Sequence, residues 1–246
     1  MFLLEYFMET IYTIPVNEAF SATMEDPKIG CPFCLLYRQE QDRELVLILG
    51  ASMMEPDVRI KTNAQGFCGK HYDKMFVRRN RLGLALMMES HLDEIKSNLA
   101  EAPLVKKSTL AAGKPLKALE KLEGDCYVCS RMEKNLTAMK EVAVLLWDAD
   151  PAFQKKLAAQ PYFCLPHYRA LLDYGKKRLP KKHFLAFYDA ISKVEEAYLD
   201  TLRGDVSWFC KKFDYRYGDE PWYNSKDAVE RTIHFLRGED EEGKTP

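Results

Sequence analysis

Six of the seven cysteines in this 246-residue chain fall in four short motifs, and two histidines complete them. Cys31 and Cys34 bracket two residues, as do Cys126 and Cys129. Cys68 lies three positions before His71, as Cys164 does before His167. Thiolate and imidazole are zinc donors, and three Cys with one His make a complete tetrahedral set. C-x2-C lets two thiolates turn onto one ion. C-x2-H on the first turn of a helix puts both donors on one face. Four protein donors leave no open position for substrate, so the chemistry expected is structural.

The motifs recur in the same order. Thirty-three residues separate Cys34 from Cys68, and thirty-four separate Cys129 from Cys164. Pro56 follows Cys31 by twenty-five positions and Pro151 follows Cys126 by twenty-five, with Glu55 and Asp150 just before them. Ala64-Gln65 and Ala159-Gln160 precede the second half-sites. This reads as an internal duplication. The expectation is one zinc ion per repeat: Cys31, Cys34, Cys68 and His71 in the first, Cys126, Cys129, Cys164 and His167 in the second. The bland alternative is a set of buried cysteines and satisfied histidines. Two copies of matching order and spacing argue against it.

Other chemistries are weighed on the same residues. Iron could take Cys3His ligation, although the halves are not spaced like a ferredoxin. A catalytic zinc needs a vacant position and a general base, for which Glu55 and Asp150 are the nearest acids in sequence. Cys31-Pro32-Phe33-Cys34 looks like the dithiol bracket of thioredoxins and glutaredoxins, where a cysteine at a helix start has a low pKa. No strand precedes it and no βαβ pattern follows. A zinc site that releases its ion on oxidation, a thiol/zinc redox sensor, stays open. Cys210 reads as a small buried apolar residue.

Helices must position these donors. Residues 8–30 read as irregular with one short helix, Ile11, Ile14, Val16 and Phe20 packing onto the first repeat. Pro32 opens a helix whose second half is apolar, with Leu35, Leu36, Leu45, Leu47, Ile48 and Leu49. Gly50 and Pro56 break it, and a short helix covers about 56–64. One long helix is expected from Gly69 to about Ala100, placing His91 far from His71 as a satisfied histidine and Met87 and Met88 in the core. Val128, Met132, Leu136, Met139, Val142 and Leu146 advance in helical steps. Further helices follow His167 and span about 181–212, with Gly204 a possible kink. Asn224 or Ser225 is the expected N-cap of a last helix stopped by Gly238. Sustained period-two alternation is missing. The fold class is all-α: two tandem helical repeats, each built around a C-x2-C…C-x2-H zinc site, plus a C-terminal helix. The expected divisions are 8–101, a linker at 102–118, 119–212, an aromatic segment and helix at 213–238, and a disordered acidic tail at 239–246.

Composition bounds the function. Hydrophobic residues are 47% and charged residues 30%, as in globular proteins. The net charge of −1 supplies no global field to recruit nucleic acid or a membrane. An odd cysteine count in metal-type motifs points to a reducing compartment, and the cytoplasm is expected. Met1–Phe7 is apolar but carries Glu5 and no basic residue, unlike a signal peptide, and Met8 is an alternative start. No run of eighteen apolar residues exists, so no membrane insertion is expected. Basic clusters follow both C-x2-H motifs: Arg78, Arg79 and Arg81, then Lys176, Lys177, Arg178, Lys181 and Lys182. Gripping phosphates is the functional reading of these clusters, and solvated helix faces the plain one. Asp214, Tyr215, Arg216, Trp222, Asn224 and Asp227 read as a staple for the terminal segment, Arg216 pairing with Asp214 or Asp227 and Trp222 packing on a helix.

The chain resembles a bacterial domain-of-unknown-function family. The resemblance rests on Ile11–Phe20 (IYTIPVNEAF), the two sets of half-sites, Lys212–Arg216 (KFDYR), Pro221-Trp222 and Asn224–Ala228. It runs from about Met8 to Gly238. Members are sometimes labelled ABC-transporter substrate-binding proteins. Such proteins use export or a lipid anchor and a two-lobed α/β fold, neither of which is legible here. The resemblance implies the metal sites and no established activity. The reading is a cytoplasmic, zinc-stabilised scaffold that binds an unknown protein partner, with nucleic-acid binding and redox sensing as alternatives.

Overall fold

Proline and glycine punctuate the helices that carry the donors. The structure, a computed structural model, describes residues 2–101 and 120–239, with side chains described for 11–98 and 120–239. The helices are α1 (Phe2–Glu25), α2 (Pro32–Leu49), α3 (Pro56–Gln65), α4 (Gly69–Phe76) and α5 (Arg81–Glu101). After them come α6 (Tyr127–Ala149), α7 (Pro151–Ala158), α8 (Leu165–Arg178), α9 (Lys181–Lys211) and α10 (Ala228–Arg237). No strand occurs among the described residues, and the fold is all-α. Pro32, Pro56, Pro151 and Pro166 sit in first turns, where a missing N–H costs nothing. Asp150 caps α7, accepting from the Ala152 N–H at 2.8 Å.

The chain forms two compact units that do not follow its order. One comprises Met1–Arg38 and Leu136–Pro246, the other Gln39–Asn135. One unit per repeat was expected, 8–101 and 119–212. The observed divisions fall within α2 and α6 instead. The 102–118 linker and the 240–246 part of the tail lie outside the described residues.

In the first unit α1 runs as a helix through Pro15, longer than the one short helix expected within otherwise irregular chain. Its stripe of Val16, Ala19, Phe20 and Thr23 is fully buried, while Ile11 and Ile14 stay exposed. Phe20 meets Phe33 edge-on at 5.5 Å, Phe153 at 4.9 Å and Phe163 at 6.1 Å. Gln160 donates to the Phe20 carbonyl at 2.8 Å, and Lys156 reaches Asn17 Oδ1 at 2.9 Å. The N-terminal helix thus packs on α7 and Phe163 from the second copy of the motifs, not on the first repeat alone. Helix α9 is unbroken through Gly204.

In the second unit the expected single helix from Gly69 is two, α4 and α5, separated at residues 77–80. Asn80 accounts for the break: its Oδ1 accepts from the Gly83 N–H at 2.9 Å, capping the new helix. Helix α5 then packs on α3 and α4. His91 Nδ1 lies 2.6 Å from the Asn63 carbonyl of α3, so this histidine is satisfied as expected. Met87 is buried, but Met88 is 41% exposed and outside the core.

Candidate metal centres

Each half-site stands at the start of a helix. Cys31 immediately precedes α2 and its carbonyl accepts from Leu35 N at 3.1 Å, with Cys34 in the first turn. Cys126 precedes α6 in the same way, its carbonyl accepting from Ser130 N at 3.0 Å. Cys68 and Cys164 are the extended N-cap residues of α4 and α8, with His71 and His167 in the first turns. Gly30, at φ +90, makes the turn into Cys31 that a side chain would strain. Four helix N-termini therefore face thiols, and their dipoles favour thiolate.

The half-sites pair across the two motif copies. Cys31, Cys34, Cys164 and His167 form one group; Cys68, His71, Cys126 and Cys129 form the other. Within each group all four donor atoms lie within 4.8 Å of one another. The expectation of one group per repeat is corrected: each C-x2-C meets the C-x2-H of the other copy. The packing enforces it. Phe33 beside Cys34 joins Phe163 beside Cys164 in the core of the first unit, 6.3 Å apart. In the second, the Tyr127 N–H donates to the Gly66 carbonyl at 3.0 Å.

The separations suit one tetrahedral ion per group. Bonds of about 2.3 Å to sulfur and about 2.0 Å to nitrogen place S···S near ~3.8 Å and S···N near ~3.6 Å. In the first group Cys34 Sγ is 3.6 Å from Cys164 Sγ, and His167 Nδ1 is 3.6, 3.6 and 3.0 Å from Cys31, Cys34 and Cys164. In the second, Cys68 Sγ is 3.9 Å from Cys129 Sγ, and His71 Nδ1 is 3.2, 3.3 and 3.4 Å from Cys68, Cys126 and Cys129. Both histidines present Nδ1. Each group can hold a metal ion.

The electrostatics of both groups suit a cation. In the second group a hydrogen bond from Cys129 holds the Cys126 thiol down at about 3, against burial. The Cys129 thiol is pushed far up by Cys126 and by burial, and Cys68 is raised chiefly by burial. In the first group burial alone would raise Cys31, but hydrogen bonds from Cys164 and Cys34 keep it well below its usual range. Cys34 is raised by Cys164 and Cys31, and Cys164 by Cys31. One thiolate forms readily in each cluster, and like-charge repulsion opposes the next. A divalent ion held by these donors would offset that repulsion.

Residues around the donors were not legible in sequence. The buried Gln41 amide lies 3.2 Å from His71 Nε2. The Gln41 atom at that distance is the amide nitrogen; with Nδ1 on an ion and Nε2 protonated, the amide would have to turn over to present its oxygen as acceptor. Gly238, at φ +67, was legible only as a helix stop. A Cβ there would lie 3.0 Å from Cys164 Sγ, so α10 ends against the first centre on a residue that must be small. Glu195 on α9 is buried, its Oε2 accepts from the Phe163 N–H at 3.2 Å, and burial pushes its pKa up to about 8. A buried glutamate in an amphipathic helix leaves no mark in periodicity.

Other candidates take ordinary places. Glu55 and Asp150 sit at helix starts and belong to neither donor group. Cys210 is exposed rather than buried, and also outside both groups. Among the basic clusters, Arg78 pairs with Asp42 at 2.6 Å, Lys177 with Asp173 at 2.7 Å and Arg178 with Glu141 at 2.6 Å. Arg81 lies over the Phe76 ring. In the aromatic segment Arg216 pairs with Asp214, and Trp222 packs on Phe209 of α9. Asn224 and Ser225 do not cap α10: Asn224 bonds Asp205 and Ser225 bonds the Trp222 carbonyl, leaving Asp227 at the cap.

Among the described residues no helix is long and apolar enough to cross a membrane. Neither curated proteins nor solved structures yield a match. A family model does match, over residues 7–243, and it spans both metal centres: the chain belongs to the family of unknown function DUF6062.

Proposed function

We propose that this protein is a non-catalytic scaffold whose two units are each closed by a structural zinc ion, and that it serves to bind another protein. The carrying observation is the donor set. Each group offers three thiols and one imidazole at tetrahedral spacing, which fills every position of the ion. Such sites bind substrate poorly and contribute folding free energy, on the order of 10 kcal/mol each. That is comparable to the stability of a whole domain. Thiolate donors persist where thiols stay reduced, so the cytoplasm is the proposed location. Elemental analysis of the reduced, untagged protein tests the reading, with an absorption spectrum of the same sample. Two zinc ions per chain and no visible band are expected. Iron with a brown band, or no metal at all, would overturn it.

Redox sensing is the second reading, and one observation favours it. In the second unit Cys129 is exposed and Cys68 only part-buried, so an oxidant can reach these thiols. Zinc released by peroxide from this centre, and rebound after reduction, is the expected signature.

A further inference from the structure

Helix α5 carries an apolar stripe that its own unit leaves uncovered. Ala85, Met88, Leu92 and Ile95 advance in alternating steps of three and four, and Leu99 keeps the step in the sequence. That spacing is the heptad seam along which two helices pair. Ala85 is exposed, Met88 is 41% exposed, Leu92 is 61% exposed and Ile95 is half-buried. The face turned to α3 is a different one. Leu84 and Met87 are buried there, Ser90 donates to Asn63 Oδ1 at 2.7 Å, and His91 meets the Asn63 carbonyl. Among the described residues the hydrogen bonds between α3 and α5 end at His91. From Leu92 to Asn98 every residue except Ile95 is exposed. Helices in proteins draw most of their stability from a packed apolar face, and this half of α5 has such a face with nothing on it among the described residues.

Charge indicates the occupant. Glu89 and Lys96 flank the stripe on the edge away from α3, and neither forms an ion pair among the described residues. Set against α5 of a second copy running antiparallel, with Leu92 facing the partner's Ile95, each Glu89 meets the partner's Lys96. Sliding the pair by one heptad would set Glu89 against Glu89 or Lys96 against Lys96. A parallel pair would set both charges against the edge that holds Leu84 and His91, which α3 occupies. Because α3 lies along the first half of each α5, the two antiparallel copies of α3 stand at opposite ends of the pair and do not collide. We propose that two copies of this chain associate through α5, antiparallel along Met88, Leu92 and Ile95. The proposal rests on the second unit alone and on neither metal centre.

The test is sedimentation equilibrium of the full, metal-loaded chain across the micromolar range. A monomer–dimer equilibrium is expected. Leu92→Lys should leave a monomer of unchanged metal content, since Leu92 is exposed in the single chain. Glu89→Lys or Lys96→Glu alone puts like charges together at both ends and should weaken the dimer about tenfold or more. An equal mixture of these two single variants should dimerise as the parent does, because every lysine then faces a glutamate. A parent that stays monomeric throughout, the result if residues 102–119 of the same chain cover the stripe, overturns the proposal. So does a Leu92→Lys chain that dimerises as the parent does, which would place the contact elsewhere. Failure of the mixture to recover the dimer overturns the antiparallel pairing. The mixture decides even if Leu92→Lys fails to fold.

Discussion

In the first unit Cys31, Cys34, Cys164 and His167 are all buried, beneath the phenylalanine core and the end of α10. In the second unit the same donor types include an exposed Cys129 and a part-buried Cys68. The ligands are alike and the coverings are not. Thermodynamic affinity follows from donor set and geometry, whereas exchange with solvent, chelator or oxidant follows from access. The first centre has the character of a core element and the second that of a surface clasp. Supporting groups differ too. The Gln41 amide lies against His71 in the second unit, while a buried carboxyl, Glu195, bonds the backbone beside Cys164 in the first.

The sharpest break of the comparison is a pair of double variants. Cys31→Ser with Cys164→Ser removes donors from one centre, so one ion should remain. Cys31→Ser with Cys68→Ser removes donors from both, so none should remain. Pairing within each motif copy predicts the reverse, and metal content decides. Cys164→Ser alone should lower the melting temperature by about 10 °C or more, given the scale of metal-linked folding free energy. A variant melting within a degree or two of the parent would remove that centre from the structural role.

Rates sharpen the contrast next. Under a chelator with a metal-sensitive dye, release should be biphasic, the second unit first and at least tenfold faster. Mass spectrometry under limiting alkylation should label Cys129 before Cys31, Cys34 or Cys164. A single phase would mean that exposure does not govern exchange. Gln41→Leu removes the buried polar group that faces His71 Nε2. It should weaken the second centre about 10–100-fold and leave the first unchanged. Equal weakening of both centres, or of neither, would remove Gln41 from this role.

The smallest effect concerns Glu195. Its folded pKa of about 8 lies above its ordinary value of 4.5. Between those pH values the folded chain holds a proton that the unfolded chain has released. The stabilising contribution is therefore full below about pH 4.5 and is lost as pH rises through 8. Glu195→Gln cannot ionise. Its melting temperature should gain a few degrees on the parent between pH 6 and pH 9. A gap that stays constant with pH would show that the carboxyl ionises freely in the folded chain.

Local features of this protein are written in its sequence. C-x2-C and C-x2-H name the donors because few other arrangements of those side chains serve a purpose at that spacing. Prolines at 32, 56 and 151 mark helix starts because a missing N–H is tolerated only in a first turn. Helical spacing over 128–146 identified α6 and its buried face. The break between α4 and α5 was harder to see. Asn80 caps only in the company of a turn, and apolar spacing continues across it. The length of helix α1, where one short helix is expected, is hidden for a related reason. Its buried stripe is short, Pro15 interrupts the pattern, and the surfaces that cover it come from residues 153–163.

The partnership of the half-sites belongs to tertiary structure alone. Four half-sites of two types can be joined two ways, and the chain between them is long enough for both. Neither composition nor periodicity distinguishes them, because donor chemistry is identical in both. The choice falls to which helix starts pack together: Phe20, Phe33, Phe153 and Phe163 in one unit, and the Tyr127 N–H to Gly66 carbonyl bond in the other. The sequence by itself determined the donors and most of the helices. The fold decided which donors come together and how well each group is covered, since both depend on contacts between residues 130 positions apart in the first group and 61 in the second.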